Sequence, residues 1–213
     1  MARSDRKQRE FERREEDILD AALALCSTHE FESVTVEQIA EQAGIGKGTV
    51  YKHFSSKDEL FFRINIRFYK GLLKLLRESY NDLPPLEQFR QIIEQSFHYH
   101  LDNKEYRYIV EYCDRIDFME RAESNWRDDF LALDRAFMEW GEPLIQAGID
   151  AGVFEDRPVS EIMLGMHACF EGAVTMLWTE NDWCPISKNA NAKDLIQAIT
   201  NFILAGLIGI PKD

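Results

Sequence analysis

Residues 35 to 60, TVEQIAEQAGIGKGTVYKHFSSKDEL, leave a chain few ways to fold. Thr35 with Gln38 three residues on is a capping box, and Val36, Ile39, Ala40 and Ala43 recur at i, i+3, i+4 and i+7. Together they predict a short helix with one apolar stripe. Gly44 supplies the left-handed residue that ends it, Ile45 plugs the angle, and Gly46 opens a second short helix whose Val50 and Phe54 face inward. Ser56 and Glu59 form another capping box, so a third helix starts near Lys57. Two short helices across a glycine turn, with a third behind them, form the layout of a DNA-reading helix-turn-helix.

The second short helix carries Lys47, Thr49, Tyr51, Lys52 and His53 on one side, and from Gly46 to Lys57 the sequence has no acid between its three lysines. Such a surface seeks phosphate. Lysines release counterions from a duplex, Gly48 lets backbone approach the groove, and Tyr and Thr hydroxyls reach phosphate or a thymine methyl.

The residues from Thr35 to Leu60 resemble, at nearly every position, the N-terminal domain of TetR-type transcriptional regulators. The resemblance implies a recognition helix holding Lys47, Gly48, Thr49, Tyr51, Lys52 and His53, with Lys57 on a flanking phosphate at the start of a long connecting helix. Thr35, at the head of the preceding helix, is counted with this DNA-facing set. Gly46 stands where the family usually has Ser, and Glu30 where it often has Gly. The motif covers about the first quarter of the chain. It implies an all-α protein with a helix-turn-helix domain at 1–57 and a helical ligand-binding and dimerisation domain at 58–213. The implied function is that of a repressor releasing operator DNA when a small apolar or amphipathic molecule binds.

Enzyme readings of the glycines fail on spacing. A Walker loop needs Gly where Glu41 stands and Ser or Thr where Gly48 follows Lys47, and Gly44, Gly46 and Gly48 give G-x-G-x-G after a helix rather than G-x-G-x-x-G after a strand. No nucleophile with a paired base, carboxylate dyad or metal cluster stands out, so no catalytic residue, metal or cofactor is expected. His98, His100 and Asp102 alternate, which sends them to different helix faces. Cys26, Cys113, Cys169 and Cys184 lack metal spacing; the first three read as core thiols, and Cys184, before Pro185, is the one candidate for redox chemistry.

A net charge of −13 over 213 residues is unusual for a DNA binder, so its distribution matters. Residues 1–60 carry −4 and the remainder −9, which places most of the acid away from the reading head. Arg3, Arg6, Lys7 and Arg9 read as a basic arm ahead of the first helix, able to follow a DNA backbone. The charged N-terminus is no signal peptide, and the apolar run from Phe202 to Ile210 is too short to span a bilayer, so the expected compartment is the cytoplasm without membrane contact.

Downstream, apolar periodicity and turn residues predict helices at 56–81, 86–101, 104–119, 122–147, 160–179 and 192–207. The last two carry more apolar surface than one protomer can bury. Gly165, Gly172 and Ala173, with Leu195, Ile199, Phe202, Ile203 and Gly206, are expected to meet a second copy in a two-fold dimer that sets two recognition helices on a palindromic operator. Between head and interface, Phe89, Phe97, Tyr108, Tyr112, Trp126, Phe130, Phe137, Met166, His167 and Phe170 are candidates to line an effector cavity. Glu111, Asp114 and Glu171 suit a cationic effector and Arg90, Arg107 and Arg115 an anionic one; the charges do not choose.

Overall fold

Helix α1 (Ala2–Cys26) begins as an almost wholly charged rod and turns apolar only in its second half, where Ile18, Ala22 and Cys26 reach zero exposure. This gradient anchors its C-terminal turns and leaves its N-terminal turns in solvent. Residues expected to be a free basic arm are therefore helical, because Glu and Arg propagate a helix almost as well as Ala. The computed structural model describes residues 2–27, 31–79, 83–178 and 191–209. Glu30 and the candidate redox residue Cys184 lie outside them.

All regular structure among the described residues is helical. After a 3-10 turn at Phe31–Ser33 come α2 (Val36–Gln42), α3 (Lys47–His53) and α4 (Lys57–Glu78). Next are α5 (Pro85–Asp102), α6 (Arg107–Cys113), α7 (Ile116–Arg121), α8 (Ser124–Asp150), α9 (Val159–Trp178) and α10 (Ala192–Ile208). The single helix expected over 104–119 is broken: Arg115 leaves helical geometry with ψ 139°, and its guanidinium binds Asp117 inside the next turn. Helix α8 runs through Pro143 and ends three residues later than expected.

Two compact units result, one of residues 1–70 with 104–133, the other of 71–103 with 134–213. This partition is structural and differs from the functional division proposed at residue 57; α4 and α8 each contribute to both units. In the first unit Ile39, Val50, Phe54, Leu60, Phe61 and Ile64 join the buried end of α1. In the second, α5, α9 and α10 pack together. Phe97 stacks on Phe170 at 4.5 Å and Phe89 meets Phe154 edge-on at 5.1 Å. A Cβ at Gly148 would run into the Phe154 ring, so glycine is required where the α8 end crosses that side chain.

Candidate nucleic-acid interface

The reading head is assembled by short-range hydrogen bonds that its sequence prescribes. Thr35 Oγ1 accepts from the Gln38 amide and the Gln38 side chain accepts from the Thr35 amide, closing the capping box. Gly44 adopts φ 66°; its N–H donates to Glu41 O, and Ile45 N–H donates to Ala40 O at 2.9 Å, the paired bonds of a Schellman turn. Gly46 starts α3 with φ −80° and offers no side chain to cap it. Val50 and Phe54 are buried as expected. The second capping box is skewed: Ser56 Oγ accepts from the Glu59 amide, whereas the Glu59 carboxylate accepts from the amide and hydroxyl of Ser55.

Lys47, Gly48, Tyr51 and Lys52 are exposed on α3, Thr49 is half-exposed, and Tyr51 shows 47% of its surface. Open space surrounds Gly48. Tyrosine is seldom so exposed without a partner of its own, and here it stands beside Lys47, whose ammonium lies 5.8 Å over the ring. Folding also brings Glu37 from α2 against Lys47, an acid ten residues away that reading along the chain cannot place. Each partner favours the other's charged form, chiefly through their hydrogen bond. Both are solvent-exposed, so the pair is weak and leaves Lys47 free to exchange Glu37 for a phosphate.

Three members of the expected set have other duties. His53 is withdrawn: its side chain is 6% exposed, its ring packs 4.1 Å from Phe11, and Nδ1 lies 3.6 Å from the Glu15 carboxylate of α1. Lys57 Nζ donates to Glu32 O at 2.8 Å and Val34 O at 3.0 Å, tying the start of α4 to the turn before α2. Thr35 remains exposed, with its hydroxyl engaged by Gln38.

Comparison with known proteins follows this geometry. Residues 18–64, from the buried half of α1 to the first turns of α4, match the model of bacterial regulatory proteins of the tetR family. Over these residues the chain carries a tetR-family helix-turn-helix domain. The chain is 28% identical over 160 residues to the HTH-type transcriptional regulator YfiR of Bacillus subtilis, covering 71% of this chain and 73% of that one. It is 31% identical over 86 residues to the HTH-type transcriptional repressor KstR2 of Mycobacterium tuberculosis, 38% of this chain and 41% of that one. Among its curated relatives the shared part falls as low as 33% of the relative's length. The fold extends further than the sequence match: the fatty acid degradation regulator FadR of Bacillus halodurans superposes with a TM-score of 0.69 at 17% identity, over 91% of this chain and 95% of that one. Members of the tetR family are regulators rather than enzymes.

The aromatic residues of this TetR-type chain do not gather at one place. Tyr108 and Tyr112 pack on Phe31, and Trp126 stacks on Phe62 at 5.8 Å, all in the first unit. Phe89, Phe97 and Phe170 are packed in the second, and Phe130, Phe137 and Met166 are half-exposed. His167 points outward, 71% exposed beside Glu171, so it lines no interior space. Tyr112 is drawn into a charged array, donating to Asp58 at 2.9 Å and accepting from Arg121, which also binds Asp117. His100, weighed in the sequence only as a metal candidate, is 1% exposed among Phe170 and Trp178, with Nδ1 2.7 Å from Ser96 O. Burial lowers its pKa from 6.5 to about 4, opposed in part by the Ser96 carbonyl. Cys26 and Cys113 are buried and Cys169 is half-exposed, against the expectation that all three are core; burial raises the Cys26 thiol to about 11.

Of the expected dimer residues, Gly165, Gly172, Phe202 and Gly206 are exposed, and Leu195 and Ile199 half-exposed. Ala173 and Ile203 are buried inside the protomer, one helical position off the outer stripe. Leu164, 70% exposed, and Ala168 and Ala205 take their places on it.

Proposed function

We propose that this protein is a cytoplasmic, homodimeric repressor that binds a palindromic operator through α3 and releases it when a small apolar or amphipathic molecule binds. The observation that carries the reading is the α3 surface: Tyr51, Lys47, Lys52 and open-backed Gly48 held outward on a Schellman turn. Side chains of this kind have no packing role there, and each matches a phosphate or base-edge partner. Thr49 supplies a hydroxyl, and Lys57 keeps one donor for a flanking phosphate. The repressor sense draws support from the relatives named as repressors.

Dimerisation is assigned to the outer stripe of α9 and α10, where Leu164, Gly165, Ala168, Gly172, Phe202 and Ala205 leave an apolar surface that water penalises. Effector binding is assigned to the helices of the second unit, with Phe89, Phe97, Phe137, Met166 and Phe170 as candidate contacts. Helix α4, continuous from the reading head into the second unit's residues, is the proposed lever.

Selecting duplexes from a random pool tests the whole reading. A palindrome with half-sites about one turn apart is expected; selection of no sequence would refute it. Quenching of Trp126 or Trp140 emission then screens amphipathic compounds, and linkage requires a true effector and the operator to weaken each other by the same factor, typically about 5 to 150-fold. A compound that binds without shifting operator affinity is no effector.

A further inference from the structure

We propose that the groove between α1 and the start of α3 is a second DNA-backbone clamp, in which Lys7 and Arg14 take successive phosphates beside the recognition helix. This rests on the DNA-binding reading and extends it to residues outside the helix-turn-helix. The groove is lined by Lys7, Phe11 and Arg14 from one side and Ile45, Gly46 and Thr49 from the other, with His53 at its floor. Lys7, Phe11 and Arg14 recur at i, i+4 and i+7, one stripe of α1, so the two cations stand about 10.5 Å apart along the helix. That separation suits two anionic groups better than one.

Charge complementarity supports the occupant. In a chain of net charge −13, Arg63, Arg67, Arg90, Arg107, Arg115, Arg121, Arg157 and Lys47 all face carboxylates. Among the described residues Lys7 and Arg14 face none, as is also true of Arg6, Arg9 and Arg13 on the same helix; of these, Lys7 and Arg14 line the groove. Phe11, 41% exposed, packs tilted against the His53 ring at 4.1 Å, and the Glu15 carboxylate lies 3.6 Å from His53 Nδ1. That contact packs this face of α1 against α3. Thr49 adds a hydroxyl at the groove edge. Glu10 is the opposing carboxylate in the lining, and it limits the clamp's strength.

The test uses the full-length protein, its selected operator and an unrelated duplex, with affinity measured by fluorescence anisotropy between 50 and 200 mM salt. Removing one phosphate contact lowers the salt slope by about 0.9, so Lys7→Ala and Arg14→Ala should each shrink the 50-to-200 mM affinity ratio about 3.5-fold, equally on both duplexes. Lys74→Ala, which removes the same charge beside Glu78, should leave the slope unchanged. Glu10→Gln should tighten binding to both duplexes, a gain that misfolding cannot mimic. Unchanged slopes in the Lys7 and Arg14 variants overturn the clamp. If Tyr51→Ala still abolishes operator preference in that case, the DNA-binding reading survives without it; if the parent binds neither duplex, both fall.

Discussion

Lys57→Met separates two roles that one ammonium group holds. The sequence pattern assigns Lys57 to a DNA phosphate, whereas in the folded chain it donates to Glu32 O and Val34 O, stapling α4 to the turn before α2. Methionine keeps most of the stem and its packing near Phe61, over which the ammonium lies at 5.3 Å, while removing the donor. A hydrogen bond to a charged group contributes about 1.5–3 kcal/mol when screened from water and less when exposed. The Val34 contact is part-buried and the Glu32 contact is exposed, so a loss of about 2 kcal/mol is expected. For a chain of this size that lowers the thermal midpoint by about 4–8 °C. Differential scanning fluorimetry without DNA measures it directly. The salt dependence of DNA binding reports the other role, with a slope change of about 0.9 if a phosphate contact is also lost. An unchanged midpoint with a flattened slope would refute the staple and return Lys57 wholly to phosphate binding.

Further outcomes are expected elsewhere. Tyr51→Ala should weaken operator binding by about 1–3 kcal/mol and leave the urea midpoint unmoved, since the side chain supports nothing in the protomer; equal affinity at 150 mM salt would take α3 out of the groove. A Cβ at exposed Gly172 meets open space within the protomer, so the defect expected of Gly172→Leu lies at a partner contact. Sedimentation should show monomers with near-parental stability per chain, and an intact dimer would move the interface off α9. His100 holds its proton less tightly folded than unfolded, so the unfolded chain binds the extra proton between pH 6.5 and about 4. Stability should therefore fall as pH drops through that window, by about 3 kcal/mol at full extent. Urea midpoints of His100→Gln should lose this part of the pH dependence, and identical curves for parent and variant would contradict it.

Local chemistry made the reading head legible in the linear chain. Thr35 with Gln38 and the Gly44 turn act through neighbours three to five residues away, so caps and turn follow from residue types alone, and the i, i+4 spacing of Val50 and Phe54 marks the inner face of α3. The direction of α9 and α10 toward an apolar outer stripe followed similarly from helical periodicity, with Ala173 and Ile203 misplaced by one position. A shift of 100° per residue makes that error easy where apolar residues run consecutively.

Contacts across long stretches of chain were decided by packing. Nothing in a run free of acids announces that Glu37 will meet Lys47, that α1 will turn Glu15 and Phe11 onto His53, or that the turn at Glu32 will sit under Lys57. Each requires knowing which face of one helix lies on another, and that follows from the shared burial of Ile18, Ile39, Val50 and Phe61 rather than from any polar motif. The aromatic residues show the same limit: composition could count them, but only tertiary structure divided them between two cores. Hydrophobic burial sets the helix directions, and the polar and aromatic partners are whatever those directions bring within reach.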